Sequence, residues 1–191
     1  IICQYKSKGE EAYYPFLFQF SAAFTITEDT FLVTLTVVNQ DLDPIPFGYG
    51  WHPYFALGEG IETTELQLPE LDLIGIDQRM IPTGKRYPYE DFLQSKPIGA
   101  TVLDNCFATK ENEDQKIQIQ LKGPKGTLNY WQENHAGAYP FVQLFTPPTR
   151  KSIAIEPMTC NVDAFNNGDG LLKVEPGASS SASFGISFKP A

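Results

Sequence analysis

A chain of 191 residues, 42% hydrophobic and 13% aromatic, can bury one sizeable core, so a single domain over 1–191 is expected. The net charge of −9, the pI near 4.7 and the scattered Lys and Arg leave no basic footprint, which excludes a nucleic-acid partner. No stretch approaches the roughly eighteen consecutive apolar residues of a membrane helix, so a soluble protein without a membrane partner is expected.

Three cysteines, Cys3, Cys106 and Cys160, lie far apart with no CxxC pair. Neither a disulfide framework nor a zinc site is suggested, and a cytoplasmic location fits. The sequence opens on a strand-like Ile-Ile-Cys-Gln-Tyr rather than on Met, so upstream residues are expected in the natural protein.

In chain order, period-two alternation predicts strands over Phe16–Ile26, Phe31–Asn39, Lys116–Leu121 and Ser181–Phe188. The second sets Leu32, Thr34, Thr36 and Val38 on one side and Val33, Leu35 and Val37 on the other, as a central strand would. Turn formers separate the strands: Glu28-Asp29, Asp41 to Pro44, Gly58 to Gly60, Pro82-Thr-Gly84, Gly123 to Gly126, Asn166 to Gly170 and Glu175 to Gly177. Ser179-Ser-Ser-Ala-Ser183 runs straight into Phe184 to Phe188 and reads as the start of a strand. No window of helical periodicity appears. The expected fold is all-β, a large twisted antiparallel sandwich.

Two histidines are present. His52 lies in Phe47-Gly-Tyr-Gly-Trp-His-Pro-Tyr-Phe55, where two glycines permit close backbone approach and the aromatics could wall a sugar pocket. A core histidine and an acid–base group are both open readings. His135, among loop formers, reads as a solvated loop residue. Glu156, in Ile153-Ala-Ile-Glu-Pro-Met-Thr159, reads as ending its strand, because the proline after it removes a ladder donor. There it is either a surface carboxylate or a partly desolvated one with its pKa raised toward general-base use. Asp104, in Leu103-Asp-Asn-Cys-Phe107, either caps a turn or accepts from sugar hydroxyls. The acidic loop Asn161 to Asp169 does not match a calcium-binding spacing, and no metal is expected.

Pro46 to Phe55, Ile81-Pro-Thr-Gly84, Leu103 to Phe107 and Ile153 to Thr159, in that order, resemble the aldose 1-epimerase (galactose mutarotase-like) family. Tyr14-Pro15-Phe16, Val142-Gln-Leu-Phe-Thr146 and Val174-Glu-Pro-Gly177 support the match. The resemblance implies a galactose mutarotase-like supersandwich, here partial, and interconversion of the α and β anomers of a free aldohexose such as galactose or glucose. It implies no cofactor. Glu156 would take the proton from the anomeric hydroxyl and His52 would protonate the ring oxygen, opening the ring; reclosure reverses the roles. Asp104 matches the aspartate that binds ring hydroxyls. Trp51 or Tyr54 could offer an apolar platform to the sugar, an assignment the family does not supply.

The family's N-terminal third, with an Arg and a further His, has no counterpart in this sequence. Trp51 and Pro53 replace the Asn and Ser around this histidine in the best-known galactose mutarotases, which points to a bacterial branch. The alternatives are a hexose-6-phosphate 1-epimerase, which needs a basic cluster that Arg79, Lys85, Arg86, Arg150 and Lys151 do not form in sequence, and a non-catalytic carbohydrate-binding module. A monomer or homodimer is expected.

Overall fold

In the computed structural model, which describes residues 1–191, nearly every element is a strand. The first half of the chain forms β1 (Ile2–Lys6), β2 (Phe18–Ile26), β3 (Thr30–Asn39), β4 (Ile45–Phe47), β5 (Tyr54–Phe55), β6 (Glu65–Gln67), β7 (Leu71–Ile76), β8 (Pro82–Tyr89) and β9 (Lys96–Pro97). The second half forms β10 (Asp104–Thr109), β11 (Lys116–Gly123), β12 (Gly126–Glu133), β13 (Phe141–Phe145), β14 (Ile153–Met158), β15 (Leu172–Val174) and β16 (Ser179–Pro190). The sole helix, α1 (Ala164–Asn167), is a single turn.

Every strand pairing is antiparallel, and an eight-stranded sheet ordered β1-β2-β3-β16-β12-β11-β6-β9 stacks on a six-stranded one ordered β5-β14-β13-β10-β7-β8. A two-stranded ribbon of β15 and β4 lies beside them. This is the expected sandwich, built by alternation. Val33, Leu35 and Val37 of β3 are buried while Thr34 and Thr36 point outward. Thr34 and Thr36 meet Ser183 and Ser181 of β16 through side-chain hydroxyls at 3.0 and 2.9 Å, so the serine run is strand, as expected.

Inner faces of both sheets fuse into one core. Val33, Leu35, Ile119, Tyr130 and Phe184 come from the large sheet; Leu71, Phe107, Val142, Leu144, Ile153 and Ile155 come from the smaller. Each such side chain stabilises by about 1.5–3 kcal/mol, so register is tightly specified. A one-residue slip in β13 and β14 would put Gln143 and Glu156 into that core and Leu144 and Ile155 in water. Buried Gln132 donates to the carbonyls of Tyr139 and Phe141 at 2.7 and 2.9 Å and accepts from the Tyr130 hydroxyl at 2.8 Å. It thereby fixes the chain that leads into β13.

Two local expectations are corrected. Pro82-Thr-Gly84 is not a turn but the start of β8, where Gly84 at φ 78° accompanies a bulge opposite β7. The reversal lies at Asp77 to Met80, whose Asp77 Oδ1 accepts from the amides of Arg79 and Ile81. Likewise, Pro157 does not end the strand. Its carbonyl accepts from Trp51 N–H at 3.2 Å, so its missing donor points to that same side and leaves the β13 ladder, where Pro157 pairs with Val142, intact.

Candidate active site

Parity decides which side chains of the six-stranded sheet face away from the core. On β14 these are Ala154, Glu156 and Met158; on β13, Phe141, Gln143 and Phe145; on β10, Asp104, Cys106 and Ala108; on β7, Ile74 and Ile76. Gln143 pairs with both Glu156 and Cys106, so Glu156, Gln143 and Cys106 form one row across three strands.

Residues 49–55 run antiparallel along the free edge of β14. Gly50 bridges Met158 and Tyr54 pairs with Ala154, and counting two residues inward from either pair sets His52 opposite Glu156. Close approach explains the glycines. A Cβ on Gly50 would stand 2.7 Å from the Pro157 carbonyl, and one on Gly48 would collide with the Cys160 thiol. Thr159 fastens the segment, its hydroxyl accepting from Tyr49 N–H at 2.9 Å and its amide donating to Tyr49 O at 3.0 Å.

His52 Nε2 lies 3.3 Å from Glu156 Oε1; the Glu156 side chain is 12% exposed and that of His52 53%. The imidazole stacks on Tyr54 with ring centroids 4.8 Å apart and meets Phe145 edge-on at 6.5 Å. Burial raises the Glu156 pKa above the ordinary carboxylate value; His52 partly counters this, and the nearby Asp104 charge adds to it. A carboxylate shifted this way is a better proton acceptor near neutral pH than an exposed one.

Glu156, His52 and Asp104 line one open cavity of about 410 Å³. Asp104, exposed at the start of β10, accepts from Gln143 Nε2 at 3.0 Å. The polar groups occupy the β14, β13 and β10 part of the floor. Ile74, Ile76, Met80, Met158 and Val162 complete its apolar lining.

The two aromatic candidates beside His52 face opposite ways. Trp51 and Phe55 alternate with His52 and Tyr54, so they point inward: Trp51 packs against Phe24 and Phe184 at 5.4 and 5.9 Å. It borders a second cavity of about 320 Å³ that His52 and Glu156 also line, not the one holding Asp104. Tyr54 faces outward, but its ring backs His52. His135 is half-buried in the turn between β12 and β13, its Nδ1 3.0 Å from Ala136 O, and does not line this cavity. The polar side chains of Asn161 to Asp169 bond to one another and to Arg86.

A sequence model of the aldose 1-epimerase family matches residues 2–187. The chain belongs to the aldose 1-epimerase family. The uncharacterized proteins YihR and YphB of Escherichia coli (strain K12) are 27% identical over 172 residues and 28% identical over 180. These alignments cover 86% and 88% of this chain but 54% and 59% of those proteins, so the chain spans a little over half of the curated relatives it matches. In fold it is similar to a galactose mutarotase-like protein from Clostridium acetobutylicum, with a TM-score of 0.84 at 16% identity over 100% of this chain and 62% of that one. Galactose 1-epimerase from Lactobacillus acidophilus NCFM gives 0.78 at 17% identity, with the same two coverages.

Within this aldose 1-epimerase relative, Gln143 is the cavity residue that sequence reasoning passed over. In the sequence, Val142-Gln-Leu-Phe-Thr146 reads only as a family landmark. Its parity, with Val142 and Leu144 turned to the core, was the available sign that Gln143 faces the same way as Glu156.

Proposed function

We propose that this chain carries the acid–base centre of an aldose 1-epimerase acting on a free aldohexose, with Glu156 as general base and His52 as general acid. The observation that carries this reading is the placement of His52 directly opposite Glu156 in a cavity shared with Asp104. The anomeric hydroxyl and the ring oxygen are bonded to the same carbon. A base for one and an acid for the other must therefore stand side by side, as cross-strand neighbours do. The substrate oxygens would replace the contact between His52 and Glu156: Glu156 takes the hydroxyl proton, protonated His52 gives one to the ring oxygen, and the ring opens. After rotation of the aldehyde, the two groups exchange roles and close the other anomer. Asp104 and Gln143 would accept from and donate to ring hydroxyls. Tyr54 and Phe145 would orient His52 rather than contact the sugar.

No Lys or Arg lines this cavity, whereas two carboxylates do. That favours a neutral sugar over the phosphorylated hexose of the alternative epimerase. Against the carbohydrate-binding module, the approach of His52 to Glu156 and the raised Glu156 pKa support proton transfer.

The test is anomer exchange of galactose and glucose, followed by polarimetry and by NMR exchange spectroscopy, for this chain and its Glu156→Gln variant. Acceleration lost in the variant supports the proposal. Sugar binding by both proteins with acceleration by neither would replace it with the binding module.

A further inference from the structure

We infer that Arg86 is a positioning residue, fastening the wall of the candidate site through Asp169. Residues 160–171, between β14 and β15, bond almost wholly within themselves. Asn161 N–H donates to Asp169 O, Asn161 Nδ2 to Asp169 Oδ2 at 2.9 Å, and Asn167 Nδ2 to Val162 O at 2.9 Å. The amides of Asn166 and Asn167 both reach Asp163 O. Beyond its two chain ends, the only hydrogen bonds that join this unit to the rest of the protein come from one side-chain tie. Arg86 Nη2, on the far edge strand β8, donates to Asp169 Oδ1 at 2.9 Å and Oδ2 at 3.2 Å.

The tie spans the outer face of the sheet. The Arg86 guanidinium lies over the Phe141 ring, 5.6 Å from its centroid, and Gly170 packs so close to that ring that a Cβ would stand 2.7 Å from it. In the same unit, Val162 lines the cavity that holds His52, Asp104 and Glu156. Asp169 fixes Asn161, Asn161 Oδ1 accepts from Val162 N–H at 2.8 Å, and so the placement of Val162 is set from Arg86. Both partners are partly exposed, at 45% and 31%. An ion pair of that kind adds little to global stability, so its effect falls on the loop and not on the fold.

The inference rests on the epimerase reading for its kinetic arm only. Amide hydrogen exchange of the whole chain, with and without Arg86→Met, reads the tie directly. Faster exchange at Asn161 and its neighbours in 160–170, with β13 and β14 unchanged, is expected; unchanged exchange in the loop overturns the inference whatever the activity. In the anomer-exchange assay, Arg86→Met and Asp169→Asn should raise KM by about two- to five-fold with little change in kcat. The charge-exchanged pair Arg86→Asp with Asp169→Arg should restore part of the loss. A kcat that falls with KM fixed would overturn the positioning role. A loosened loop in a protein that epimerises no sugar would uphold the tie and sink only the epimerase reading.

Discussion

The two faces of the six-stranded sheet are made by alternate residues of the same strands and are governed by opposite requirements. Inward, Val142, Leu144, Ile153 and Ile155 are at most 1% exposed and contribute through area removed from water. Outward, Gln143 and Glu156, one residue away, and His52 on the neighbouring segment keep partial solvent access, beside a small buried cluster of Ile74, Cys106, Ala108 and Phe141. Stability and the proposed proton transfer are therefore separable here at single-residue resolution, because a strand puts neighbours on opposite sides.

The largest effect expected on the outer face is from Glu156→Gln, which should lower kcat by about 10²–10⁴ in anomer exchange while leaving the fold intact. Its stability should move the other way. The Glu156 pKa is raised on folding, so its contribution is most favourable below the unfolded value of about 4.3 and is lost as pH rises through the folded value. At neutral pH the variant should melt slightly higher than the parent, with the difference fading in acid. A variant that melts well below the parent at pH 7 would break the separation.

On the inner face, Ile155→Ala should cost about 2–5 kcal/mol in denaturant unfolding and leave kcat of the folded fraction unchanged. A proportionate drop in kcat would show that the two faces are mechanically coupled. Between the faces stands Gly50: Gly50→Ala should push the 49–55 segment off the Pro157 carbonyl and lower activity about ten-fold through His52 placement, with a smaller loss in Tm. The least effect is expected from Asp104→Asn. It removes a charge that raises the Glu156 pKa, so the acid limb of the kcat/KM profile should shift to lower pH while KM rises.

Alternation made much of this legible in sequence. The Thr and Val sides of β3 and the strand character of the serine run required nothing beyond period two, and the glycines before His52 announced close approach correctly. Failures came where a residue's meaning depends on a partner far along the chain. Pro157 reads as a strand end until its carbonyl is seen to face Trp51. Pro82-Thr-Gly84 reads as a turn until β7 is opposite it. The contact of Gln143 with Asp104 and the tie from Arg86 to Asp169 depend on register across several strands, which no local pattern encodes.

The position of β16 has a consequence for how the molecule is made. The last strand in chain order is an interior one, held between β3 and β12, with Ser181 opposite Thr36. During synthesis the large sheet must wait as two separate halves, each with an open edge, until residues 179–190 leave the ribosome and close the gap. Such distant pairings make folding slow and leave unpaired edges exposed to association in the interval, so the yield of folded protein should depend on temperature and on chaperone supply more than its final stability would suggest.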